Sequence, residues 1–138
     1  MRKTVTVDAP REMVFEALTN EKELVKWMPQ EAKMDPRVGG DYEFKYRWAA
    51  RGLETVLKGK ILELVPNERL SYTWDSRTTT GTDRIMHAVV TWLLEDVPGG
   101  KTKVTLVHSN VAEQFRQDAE SGWNHYLSQL QKYCSEKM

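Results

Sequence analysis

The chain has 138 residues, 40% of them hydrophobic and 29% charged, the composition of an ordinary globular protein. Twenty basic and twenty acidic residues cancel, which removes any general attraction to nucleic acid or to an anionic membrane surface. The one cysteine, Cys134, excludes an intrachain disulfide and a cysteine-based metal cluster.

This length predicts one domain, residues 1–138, burying about 68–70% of the surface its unfolded form exposes. Neither metal nor disulfide is then needed to hold it. The opening MRKTVTVDAP lacks the apolar core of a signal peptide, and no apolar run approaches the ~20 residues that span a bilayer. A cytoplasmic protein without membrane insertion is the expectation, and a lone thiol suits a reducing compartment.

In chain order, RKTVTVD alternates Val5 and Val7 with Thr4 and Thr6, the pattern of a strand. APREMVFEALT places Pro10 in the first turn of a helix, where its missing N–H costs nothing. Asn20 and Glu23 resemble a capping box opening a second short helix with Leu24, Trp27 and Met28. Gly39 and Gly40 let the chain turn into DYEFKYRW. There Tyr42, Phe44, Tyr46 and Trp48 alternate with charged residues, as on a sheet with one wet face.

ETVLKGKILELV, RLSYTWD, RIMHAVVTWLLE and KTKVTLVHS supply further strands. PNE and DVPGG read as turns between them, and SRTTTGTD as a polar loop. Such short connections imply an antiparallel meander. At roughly 100° per residue, Trp123, Leu127, Leu130 and Cys134 then form one helical stripe flanked by Tyr126 and Tyr133. Ala112, Phe115 and Ala119 extend it through Gly122, a point where the helix could bend, while His125 falls on the opposite side.

The expected fold is therefore α+β. A curved antiparallel sheet of about six or seven strands wraps around a long C-terminal helix, with two short helices after the first strand. A rod on a curved sheet leaves room for a cavity.

Motifs for chemistry are weak. EDVPGGKT ends like a phosphate-binding loop, but Glu95 stands where that loop needs glycine, and a strand follows instead of a helix. RVGGD lacks dinucleotide spacing. His87, His108 and His125 have no metal-ligand spacing, so no metal or other cofactor is expected. His108 alternates with Val104 and Leu106 and should face inward, as a buried, hydrogen-bonded histidine. No serine has a nucleophile-elbow context and no pair of carboxylates is placed for acid–base work, so catalysis is not indicated.

The aromatics are the strongest signal. Trp and Tyr carry polar tips that need partners when buried, and aromatic walls with a few polar groups commonly line small-molecule pockets. The expected lining is Trp27, Trp48, Tyr72, Trp74, Met86, Trp92, His108, Trp123 and Tyr126. Arg116 falls on the apolar stripe of the last helix and is expected at the cavity mouth, where it could pair with an anionic ligand.

DAPREMVFEALTNEKELVKWM, DPRVGGDYEF, GKILELVPNERLSYTW, VTWLLEDVPGGKTKVTLVHS and GWNHYLSQLQKYC together resemble the SRPBCC or START-like helix-grip superfamily. Within it they look most like the activator of heat-shock protein 90 ATPase homologue-like group, also labelled polyketide-cyclase-like. The resemblance covers nearly the whole chain, in the family's order. It implies a cavity between the last helix, the short helices and the sheet, in members that bind apolar or amphipathic small molecules. The eukaryotic co-chaperone of this group has a separate N-terminal domain for which these 138 residues leave no room.

Three readings follow. The leading one is non-catalytic binding of a hydrophobic or amphipathic small molecule. The others are a chaperone-associated stress-response module and a polyketide cyclase-like enzyme using His108 as acid or base.

Overall fold

A computed structural model describes residues 1–48, 53–78 and 84–137. The first strand, β1 (Arg2–Val7), leads into two short helices, α1 (Arg11–Thr19) and α2 (Glu21–Leu24). Six strands follow: β2 (Glu31–Met34), β3 (Asp41–Trp48), β4 (Leu53–Val65), β5 (Arg69–Thr78), β6 (Ala88–Val97) and β7 (Lys101–Ser109). A 25-residue helix, α3 (Glu113–Lys137), ends the chain. The strands form one sheet in the order β1-β7-β6-β5-β4-β3-β2, and every neighbouring pair is antiparallel. This is the expected α+β helix-grip arrangement. The short strand β2 alternates Glu31 and Lys33 with Ala32 and Met34, but four residues are too short a run for that pattern to mark a strand in the sequence.

Local chemistry sets several boundaries, some differently from the sequence expectation. Pro10 is the N-cap of α1 rather than a residue of its first turn. Asn20 caps α2 by accepting from the Lys22 N–H at 2.9 Å. Glu23 does not complete a capping box. Its carboxylate instead accepts from Tyr133 Oη at 2.6 Å and from Lys137 Nζ, tying α2 to the far end of α3. Trp27 and Met28 follow the end of α2.

Two irregularities matter for what faces inward. The β4–β5 pairing shifts register between Ile61 and Glu63. Before it, Gly59 lies opposite Tyr42, whose ring crosses over it so that the hydroxyl donates to the Thr73 carbonyl. A Cβ on Gly59 would sit 2.2 Å from that carbonyl oxygen and 2.7 Å from the Tyr42 ring.

The second irregularity precedes β6. Residues 84–87 are not regular strand: His87 has φ of 58°. Its N–H donates to Asp75 Oδ1 at 2.7 Å and its carbonyl accepts from Asn110 Nδ2 at 3.3 Å. Extending the alternation of Ala88, Val90 and Trp92 backwards puts Met86 inside. The left-handed residue resets the phase, so Ile85 is buried and Met86 only half-buried. In the other direction β5 runs on to Thr78, through residues expected to be loop.

The inner face of the sheet and α3 share one core. From α3 come Ala119, Gly122, Trp123, Leu127, Leu130 and Cys134; His125 is exposed, as its angle requires. Burial on α3 begins at Ala119, so Ala112 and Arg116, expected on the buried stripe, are exposed, and Phe115 is half-buried. Aromatic rings run through the core in edge and tilted contacts. Trp27 meets Trp92 at 6.2 Å, Trp92 meets Trp123 at 5.6 Å, and Trp123 meets Trp74 at 5.2 Å. Tyr72 links Trp74 to Tyr42 and Phe44. Each large ring buried contributes about 1.5–3 kcal/mol, provided its polar tip is satisfied. Three indoles are satisfied internally. Trp27 Nε1–H donates to the Ala17 carbonyl at 2.8 Å, Trp92 Nε1–H to Tyr72 Oη at 3.0 Å, and Trp123 Nε1–H to His108 Nδ1 at 2.9 Å. Burial also drives the Cys134 thiol up to about 11.

Gly59→Ala should destabilise the protein by about 2 kcal/mol, because strand and ring must both move; urea unfolding that matches wild type would contradict it. Lys137 and then Tyr133, by hydrogen bonding, hold the Glu23 carboxyl below the usual carboxylate range. The stabilisation this adds is present above the unfolded carboxyl pKa and is lost as pH falls through the lowered folded value. The stability gap between wild type and Glu23→Gln should therefore narrow between pH 5 and pH 3, roughly the carboxylate window, in a urea series.

Candidate functional site

A cleft opens where the inner face of β4, β5 and β7 meets the first half of α3. Thr55 of β4, Trp74 and Ser76 of β5, and His108 of β7 form its floor. Asp118, Ala119, Gly122, Trp123 and Tyr126 of α3 form one wall, and Met28, Arg84 and Ile85 complete the rim. The two residues without bulk, Ala119 and Gly122, make the space: α3 is continuous there, and its thin face opens the cleft. Its water-accessible volume is about 40 Å³, room for a few waters or one small functional group. That is well below the roughly 300 Å³ of a pocket enclosing a whole drug-sized molecule.

Two wider hollows lie on the surface, about 380 Å³ between β1 and α3 and about 300 Å³ over β3 and β4. Neither is lined by a buried polar side-chain atom lacking a partner, among the described residues. The cleft has two. Thr55 Oγ1 and His108 Nε2 are both buried and unpartnered, on residues 3% and 1% exposed.

The His108 tautomer follows from its neighbour. An indole N–H can only donate, so His108 Nδ1 must accept from Trp123 and the ring proton resides on Nε2. Trp74 and Trp123 hold the imidazole between them, with ring centroids 5.4 Å and 5.9 Å away. Burial lowers the imidazole pKa to about 4, since loss of water disfavours the charged form. At neutral pH His108 is thus an uncharged ring presenting one N–H donor. At the rim Arg84 Nη2 meets Asp118 Oδ2 at 3.1 Å, and the same guanidinium lies 5.5 Å over the Phe115 ring. Among the described residues of the lining, Arg84 and Asp118 are the charged pair, and they face each other.

Of the residues expected to line a pocket, the structure brings Trp74, His108, Trp123 and Tyr126 to the cleft. Trp27, Tyr72 and Trp92 are packed in the core instead, at 3%, 1% and 0% exposure. Met86 is displaced by Ile85 for the reason given above. The side chain of Trp48, like that of Tyr46, lies outside the described residues. Arg116 is exposed and absent from the lining; Arg84 occupies the rim. Thr55 and Ser76 were missed, although period 2 places Thr55 on the face of Leu57, and Ser76 on the face of Tyr72 and Trp74.

The lowered His108 pKa has a measurable consequence. Between about pH 6.5 and pH 4 the unfolded chain binds a proton that the folded chain refuses, so His108's contribution is intact above that window and falls as pH drops through it. The loss should be on the order of 3 kcal/mol. An NMR titration should place the His108 midpoint near 4; a midpoint above 6 would refute this account.

Several known proteins share this architecture. Protein CV1439 from Chromobacterium violaceum is 28% identical, with a TM-score of 0.77 over 96% of this chain and 94% of its own. CalU16 from Micromonospora echinospora is 26% identical, with a TM-score of 0.73 over 99% of this chain and 76% of its own. The Aha1 dimer from Colwellia psychrerythraea, at 22% identity and a TM-score of 0.73 over 95% of this chain and 92% of its own, shows the same fold. No curated protein matches the sequence. Among the described residues no helix is long and apolar enough to cross a membrane. The family model for activator of Hsp90 ATPase homolog 1-like proteins matches residues 8–135. Strand order, long closing helix and matched span agree: the chain belongs to the activator of Hsp90 ATPase homolog 1-like family of SRPBCC helix-grip proteins.

Proposed function

We propose that the protein binds a small hydrophobic or amphipathic molecule, without transforming it, by taking one end of that molecule into the cleft between α3 and the sheet. The observation that carries this reading is the pair of buried, unpartnered polar atoms, His108 Nε2 and Thr55 Oγ1, in a cleft lined by Trp74, Trp123 and Ile85. Leaving such a group unsatisfied costs about 1–3 kcal/mol, a cost that a bound partner removes. Apolar walls with few polar points are also the usual make-up of a small-molecule site. The narrow interior supports insertion of an end group, with the remainder of the ligand lying across the rim.

The state of His108 speaks for binding over cyclase-like catalysis. Its Nδ1 lone pair is engaged by Trp123, so acting as a base would cost that hydrogen bond. With its pKa lowered to about 4, hardly any of the imidazole is protonated at neutral pH, so it holds no proton to give as a general acid. Membership of the family fits ligand binding, Hsp90-activator-like and cyclase-like roles alike; the cleft is what favours the first. A chaperone-contact module remains the alternative, and stimulation of the cognate chaperone's ATPase by this chain would decide for it.

Native mass spectrometry of protein purified from its own host should show a bound small molecule. Ala119→Met, which fills the cleft from α3 with a good helix former, should lower occupancy at least about tenfold, an order set by losing one well-buried group. It should leave cooperative thermal unfolding in place. Undiminished binding in Ala119→Met would place the ligand elsewhere and overturn the proposal.

A further inference from the structure

The polar inventory of the cleft narrows the chemistry of the end group that enters it. His108 Nε2–H can only donate, because Nδ1 already accepts from Trp123. Thr55 Oγ1, a hydroxyl, is the second unpartnered polar atom. Among the described residues, Arg84 and Asp118 are the charged side chains of the lining, and they face each other at 3.1 Å. A carboxylate would therefore enter without a free cation, and desolvating its charge would be costly. An ammonium group would meet the His108 N–H, donor against donor. A neutral acceptor avoids both penalties and satisfies the imidazole.

The walls add a shape requirement. The rings of Trp74 and Trp123, tilted by 47° to each other, together with Tyr126, offer flat apolar faces. Such faces favour a planar, conjugated group over a bulky aliphatic one. A volume of about 40 Å³ admits a carbonyl and its immediate neighbours while the ring lies toward the rim. We propose that the cleft selects neutral aromatic or conjugated carbonyl compounds, whose oxygen accepts a hydrogen bond from His108 Nε2–H, with the Thr55 hydroxyl as the second polar contact.

This inference rests on the binding role proposed above, and four matched probes separate the two. Acetophenone carries the neutral acceptor, and cumene has nearly the same shape without it. Benzoate carries an anionic acceptor and benzylamine a cationic donor. Each is titrated into the protein while NMR follows the indole N–H signals of Trp74 and Trp123 and the His108 Nε2–H. Acetophenone should bind about tenfold more tightly than cumene, the worth of one buried hydrogen bond, and more tightly than either charged probe. The His108 Nε2–H should move downfield with acetophenone alone. Thr55→Val, which keeps shape and loses the hydroxyl, should reduce the acetophenone preference. His108→Phe should bring the acetophenone-to-cumene ratio close to one. If His108→Phe does not fold, the four wild-type affinities and Thr55→Val decide. Equal affinity for acetophenone and cumene, or tightest binding by benzoate or benzylamine, overturns the carbonyl inference and leaves the binding role standing. If none of the four moves the cleft signals, both fall.

Discussion

The hydrogen bond from Trp123 to His108 is the contact on which the site depends. It joins the middle of α3 to β7 inside the core, where water cannot compete for either partner. It also settles which imidazole nitrogen carries the proton, and so turns a residue capable of several roles into a donor of fixed direction. Remove the indole N–H and the ring could exchange tautomers, presenting either a lone pair or a proton to the cleft. The docking of α3 and the chemistry of the cleft are thus coupled through one interaction, and a disturbance of helix docking would reach the site directly.

Around that bond the interior solves a general problem of tryptophan-rich cores. Large rings bring much apolar area to a chain of this size, but each indole carries a donor that must be matched. Trp27 and Trp92 are matched to a carbonyl and a tyrosine hydroxyl and are thereby committed to the core. Trp123 is matched to a histidine, which has a second polar atom to offer. The same motif, an indole closed by an internal acceptor, makes dry core at two places and a polar cleft at the third.

Much of this was legible in the sequence, and the misses share a cause. Alternation in DYEFKYRW and RLSYTWD marked strands and their inner faces, and Tyr42, Phe44, Tyr72 and Trp74 are buried accordingly. The angular stripe through Trp123, Leu127, Leu130 and Cys134 is the buried stripe of α3. Periodicity, however, extrapolates only while the backbone stays regular. A left-handed residue at His87 exchanged Met86 for Ile85, and a helix that begins before its buried stripe left Arg116 outside. Inward orientation also does not distinguish core from lining. Trp27, Tyr72, Trp92 and Trp123 all face inward, and only depth relative to the small residues Ala119 and Gly122 separates the last from the others. That distance spans β-sheet and helix and has no local signature.

The burial of Cys134 near the end of α3 has a further consequence. Its thiol is enclosed, and burial raises its pKa to about 11, so very little thiolate exists in the native state at neutral pH. Electrophiles and oxidants must wait for the end of the helix to lift from the sheet. Because no other cysteine competes, the pace of thiol modification is governed by how often that lifting occurs. The chain thus carries its own clock for the local opening of the element that closes the fold.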